Sequence, residues 1–209
     1  MDARAPGRRR ACLWLQEFGA APPQTTWIDF KQEKGVPHLQ GARNSSETTK
    51  ENKQTSSQVT GVNQLWQIDI KYGYVIGRQR FFFVLSIIDV FDRVVVGQYR
   101  GPVCEAKHVM QTLCRALQVR LNPGDSLPTI RTDNGPQFVS KLVGDTFESL
   151  EIVHERIPPR SPNMNAYIES FHSLLERDLF SLTEFMTFKE AYEALDRYMD
   201  FYNNRRMHG

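Results

Sequence analysis

Between Asn63 and Arg100, three segments rich in aromatic and β-branched residues follow one another with short breaks, and this succession restricts the architecture more than any other feature of the chain. Residues 65–75 (LWQIDIKYGYV) and 80–88 (RFFFVLSII) are separated by Gly77 to Gln79, the pattern of a hairpin. A third strand is expected at about 93–100, after the turn-like DVFD. The texture then alternates. Ala106, Val109, Met110, Leu113 and Leu117 recur at helical spacing, and Asn122-Pro123-Gly124 ends that helix. LPTIRT supplies a short strand that stops at Asp133, and Pro136 is placed to open a helix with the stripe Phe138, Leu142, Val143, Phe147 and Leu150. EIVHERI reads as a fifth strand before the breaker PPRSPN. Two helices close the chain, one on Ile168, Phe171, Leu175 and Leu179, the other opened by a capping box of Thr187 and Glu190. Leading antiparallel strands followed by strands linked through helices make an α/β fold: a mixed five-stranded sheet flanked by helices, with the first and fourth strands side by side.

The first 60 residues have a different texture. Residues 1–40 lack a sustained period and are interrupted by Pro22, Pro23, Gly35 and Pro37, so they read as an irregular basic N-terminal arm. Residues 41–61 are almost wholly polar and read as a linker, since they carry too little apolar surface to fold alone. The core is expected over 62–209. The net charge of +2 divides unevenly: residues 1–60 carry nine Lys/Arg against six Asp/Glu, and residues 61–209 carry 17 against 18. The basic excess sits in the arm, and the core shows no bulk basic footprint. Three cysteines, Cys12, Cys104 and Cys114, without a CxxC pair indicate neither a disulfide framework nor a zinc knuckle, so a reducing compartment is expected. Arg8 to Arg10 precede an apolar run, but Gln16 and Glu17 cut it after five residues, which argues against a secretory leader; no stretch reaches membrane-spanning length.

Three acids stand in distinctive settings: Asp69 in LWQIDIKYG, Asp133 in TIRTDNGPQF and Glu169 in SPNMNAYIESFH, the last two with 35 residues between them. In a sheet whose first and fourth strands are neighbours, at a spacing of about 4.8 Å, Asp69 and Asp133 could hold ions roughly 4 Å apart. Glu169 would join from a helix on the flank. Hard divalent cations take oxygen ligands, and two of them can support in-line displacement at phosphorus. The spacing is weak evidence among 24 acidic residues, and the settings carry the argument. Each acid also has a plain structural reading: a solvated strand acid whose alternation with Gln67 and Lys71 makes a polar face, a turn-forming Asp-Asn-Gly, and an exposed helix acid.

The pieces LWQID, FFFVLSIIDVFDR, TDNGPQFVS, HERIPPRSPNMNAYIESFHSLLERDLF and FYNNRRMH, in this order, resemble the catalytic core of retroviral-integrase-like DDE transposases of bacterial insertion sequences over about 62–208. The resemblance implies a ribonuclease H-like fold and two divalent metal ions, Mg²⁺ or Mn²⁺, on Asp69, Asp133 and Glu169 as catalytic residues. It further implies DNA as partner, both element ends and target, action as a homo-oligomer on DNA without a membrane, and a bacterial cytoplasmic, nucleoid-associated location. Family members usually carry a helical DNA-binding domain upstream; residues 1–60 show none, nor a zinc module beyond Cys12 and His38, so a truncated copy is expected. A ribonuclease H-like nuclease would recruit a further acid, with Glu105 the candidate, and an inactive remnant that only binds DNA or a partner is the third reading.

Around the acids, Asp89 and Asp92 are expected to cap the hairpin, Asn134 and Gly135 to shape a turn, and Asn165 to cap the helix of Glu169. Asn165, Glu169, His172, Ser173 and Glu176 share one outward arc, so His172 and Ser173 face either DNA phosphate or solvent. Arg156, Arg160, Arg205, Arg206 and His208 are further candidates for phosphate contact, and Phe81 to Phe83 are expected in the core.

Overall fold

The computed structural model describes residues 59–206 except Pro123 and Arg160, and at Pro162 the backbone only. The arm, nearly all of the linker, Arg160 and His208 lie outside these residues. Strand β1 runs Leu65–Val75, β2 Arg80–Asp89, β3 Val95–Gly101, β4 Thr129–Thr132 and β5 His154–Arg156; helix α1 is Ala106–Arg120, α2 Lys141–Leu150, α3 Ala166–Leu175 and α4 Phe188–Asn204. The expected order of elements holds.

One five-stranded sheet forms in the order β3-β2-β1-β4-β5. β1 pairs antiparallel with β2 and parallel with β4, so the first and fourth strands are neighbours. Each face of the sheet carries its own core. Trp66, Ile68, Leu85 and Ile87 pack beneath α1 and α2 with Met110, Leu113 and Phe147. Val75, Phe82, Val84 and Ile88 pack on the other face beneath α3 and α4 with Phe171, Leu175 and Leu195. Each large side chain buried in this way contributes about 1.5–3 kcal/mol relative to exposure. Gly73 makes one such burial possible: a Cβ there would stand 2.2 Å from the Phe82 ring, which lies across β1 at that point.

Asp89 closes the β2–β3 turn. It is fully buried and accepts from Phe91 N at 2.8 Å, Asn63 N at 2.6 Å and the indole Nε1 of Trp66 at 3.2 Å. Asp92 accepts from Val94 N and pairs with Arg120. Both acids therefore serve the turn, as their positions implied.

Four expectations shift. The helix expected from Pro136 begins at Lys141, because Gly135 O accepts from Phe138 N and Val139 N in a tight turn and Ser140 is extended before capping Val143 N. The third strand starts at Val95, after Arg93 takes up a left-handed φ of 64°. The fifth strand keeps only three residues. Phe81 leaves the core: strand alternation buries Phe82 on the α3/α4 side and turns Phe81 out, 62% exposed and packed on Tyr74 near the hairpin end.

Candidate active site

Every second residue of β1 projects toward the α3 side of the sheet, and the polar ones among these are Gln67, Asp69 and Lys71. Asp69 lies mid-strand opposite Ser86 of β2. Its Oδ1 accepts from Ile70 N at 2.8 Å and its Oδ2 stands 3.3 Å from His172 Nδ1. Asp133 is the first residue after β4, and its Oδ1 accepts from Gly135 N at 2.8 Å, the Asx turn expected of Asp-Asn-Gly. Asn134 fastens this turn to the following loop by donating from Nδ2 to Ile157 O. Glu169, in the first turn of α3, is exposed.

Asp69, Asp133 and Glu169 border one open cleft of about 510 Å³, together with Asn134, Ser161 and Asn165. A second groove of about 780 Å³ continues from Asp69 and Glu169 past Lys71, His172, Ser173, Glu176 and Arg177. Three segments far apart in sequence thus bring three carboxylates to one surface. By donor type they suit a hard divalent cation, and their partial exposure leaves room for retained waters. Among the described residues, no three His, Cys, Asp or Glu side chains stand close enough to hold a metal ion. Three like charges around one cleft repel, and Asp69 and Asp133 each direct one oxygen to a backbone N–H.

The other candidates fare differently. His172 is 7% exposed, so the plain solvent-facing position is not what forms; α3 lies over β1 and sets the imidazole against Asp69 at the edge of the second groove. Asn165 holds the N-cap position without a capping bond; it is 5% exposed, and its Oδ1 has no hydrogen-bond partner. Ser173 is exposed in the groove, with its hydroxyl donating to Glu169 O. Arg156 is exposed on β5 and borders neither cleft. Arg205 pairs with Asp200 at 3.5 Å and Arg206 with Asp178 at 3.4 Å, which directs both to acids of their own surroundings. Glu105 caps α1 and pairs with Lys107, outside both clefts.

Sequence reasoning missed Gln67. The alternation on β1 suggested a solvated polar face, yet Gln67 is fully buried beneath α3; its Nε2 donates to Met164 O at 2.8 Å and its Oε1 accepts from Ile168 N at 3.0 Å. Lys71 is also covered in part and pairs with Glu176 at 2.8 Å, a contact whose hydrogen bond is the main reason the Glu176 carboxyl lies below the ordinary range.

Two family models, each described as an integrase core domain, match residues 59–162 and 150–209. The transposase for insertion sequence element IS904 of Lactococcus lactis is 28% identical over 150 residues, covering 71% of this chain and 58% of that protein. The putative transposase InsK for IS150 of Escherichia coli is 25% identical over 154 residues, covering 74% of this chain and 53% of the relative. The chain thus spans about half the length of the curated relatives it matches. Among solved structures, a simian T-cell lymphotropic virus intasome aligns with a TM-score of 0.58 at 20% identity, over 70% of this chain and 50% of that one. The HTLV-2 integrase catalytic core domain in complex with magnesium aligns with a TM-score of 0.52 at 17% identity, over 70% and 89%. Sheet order and flanking helices agree with that ribonuclease H-like fold, and the chain belongs to the integrase core family, with insertion-sequence transposases among its relatives.

Proposed function

We propose that residues 62–209 form a DDE-type polynucleotidyl transferase core that cleaves the ends of a mobile DNA element and joins them to target DNA. The observation that carries this reading is the convergence of Asp69, Asp133 and Glu169 on one cleft from β1, the β4 turn and α3. Once rotated closer together than they now stand, these side chains would hold two divalent cations, Mg²⁺ or Mn²⁺, whose Lewis acidity would serve displacement at phosphorus. Asp69 offers its Oδ2, 3.3 Å from His172 Nδ1; Asp133 is fixed in orientation by its turn, and Glu169 is free to swing from the helix. The open shape of the paired grooves suits an extended polymer better than an enclosed small molecule. DNA is the proposed substrate, and the named intasome and the trimeric form of the HTLV-2 core support a multimer on it. A bacterial, nucleoid-associated setting is proposed with it, and the insertion-sequence relatives support the bacterial part. Residues 1–61 are proposed as an arm and linker outside the catalytic core. Glu105, the first-helix acid that a hydrolytic nuclease would recruit, borders neither cleft.

The test is strand transfer by the 209-residue chain on oligonucleotides carrying the element ends. Asp69→Asn or Glu169→Gln should abolish the Mg²⁺-dependent product, and retention of activity in either variant would remove the assignment.

A further inference from the structure

The three polar residues of β1 that face α3 meet it at regular intervals. Gln67 bonds Met164 O and Ile168 N, Asp69 stands against His172, and Lys71 pairs with Glu176. The contacted positions are 164 in the 3₁₀ turn that leads into α3, 168 and 172 within it, and 176 at its C-cap, each four residues from the next, whereas the strand positions advance by two. Two strand residues rise about 6.7 Å and four helical residues about 6.0 Å, so the spacings agree within roughly 1 Å per step. A three-rung polar ladder of this kind fixes where α3 sits along β1. The outer rungs flank the middle one, and the middle one carries Asp69, with Glu169 one turn before His172 on the same helix.

We infer that Gln67 and Lys71 are positioning residues for the acid cleft: they set the sliding register of α3 on β1 and thereby the placement of Glu169 relative to Asp69. This rests on the proposed function, in which those acids share a metal site. Gln67 is the stronger rung, since it is fully buried and both ends of its amide are engaged, so any slide of α3 would strand a buried donor and acceptor together. Lys71 is the weaker rung, with 21% of its side chain exposed. It is reinforced from the helix side, because Glu176 also accepts from Ser181 Oγ at 3.2 Å. At Glu176 the helix widens into a π turn through Phe180, a change of pitch that would carry later positions out of step with the strand.

The test uses Mn²⁺ binding by calorimetry on the full chain, with thermal melting as a control. Gln67→Met should lower Mn²⁺ affinity by about tenfold, as losses of orienting partners commonly do. It should also speed amide exchange at Ile168. Lys71→Met gives a test of sign. Removing a cation beside the cleft would tighten Mn²⁺ binding if charge alone mattered, whereas a positioning role loosens it. The charge-conserving swap of Lys71→Glu with Glu176→Lys should restore affinity toward the parent value. Unchanged or tightened binding in Lys71→Met would overturn the inference, and this variant lies near the surface, so it decides even if Gln67→Met fails to fold. Asp69→Asn separates the two levels: parental Mn²⁺ affinity in that variant would remove the metal site itself and the inference with it.

Discussion

His172 and Asn165 show how far a single side chain can be read from periodicity. At about 100° per residue, taking Asn165 as origin, Glu169 falls near 40° and His172 near 340°, while Ile168, Phe171 and Leu175 lie between roughly 240° and 300°. His172 and Asn165 are therefore border positions, and whether a border is wet depends on what the helix lies against. Here it is a strand whose own polar residues face the helix, so both are buried. Nothing in the local sequence of α3 carries that information. His154 raises a different matter, because its surroundings alter how it titrates. Burial first, and the neighbouring Arg156 second, push its imidazole below the ordinary histidine value of 6.5. The ring contacts Phe147 edge-on, and its Nε2 lies 2.8 Å from Thr132 Oγ1. The folded state thus resists protonation that the unfolded chain accepts. Stability from this group is complete above about pH 6.5 and is lost as pH falls from there through the folded value. His108, also lowered chiefly by burial, acts in the same direction. The urea midpoint should therefore fall between pH 7.5 and 5.5, and His154→Phe should flatten part of that slope; a midpoint independent of pH in the parent would contradict this account.

At the scale of elements, strands and helices were legible where the apolar pattern was long, and were blurred where local hydrogen bonding decided an end. β1 and β2 were read closely because ten consecutive pairs hold them together. Pro136 suggested a helix start because proline suits a first turn, but the carbonyl of Gly135 draws Phe138 N and Val139 N into a separate turn, and Ser140 becomes the cap. Phe81 to Phe83 read as one apolar run, although a strand must send alternate members to opposite faces. Gly73 was silent in the sequence for a related reason: its role depends on a ring from the partner strand. The Phe82 ring lies where a Cβ at Gly73 would stand, and it also meets Tyr192 edge-on at 5.6 Å, which ties the hairpin to α4. Gly73→Ala should force the ring aside and cost about 1–3 kcal/mol by overpacking. Chemical denaturation would measure it, and a Gly73→Ala variant as stable as the parent would show that Phe82 moves freely.

At the scale of the whole molecule, the chain order already fixed which strands could be neighbours, because a crossover through α1 returns β4 to the side of β1. That topological step is what makes the acid cleft legible at all: Asp69 and Asp133 meet because their strands pair, although 63 residues lie between them. The depth at which α3 sits is a property of packing, which no strand order supplies. The consequence is that the cleft brings together β1, the turn after β4 and α3, and a cation bound there would add a direct link between them. Such a ligand binds the folded chain and finds no preformed site in the unfolded one, so at about 100 times its dissociation constant it adds roughly 2.7 kcal/mol of stability. For a folded core of this size, that corresponds to a rise in Tm of roughly 5–10 °C. Melting the 209-residue chain across a Mn²⁺ titration should show that rise, saturating at the affinity found by calorimetry. Asp133→Asn should shrink it, because that residue is the one of the three carboxylates that brings the β4 turn into the link. A titration that leaves Tm unchanged in the parent, or shifts it equally in Asp133→Asn, would mean that the three carboxylates share a surface without sharing an ion.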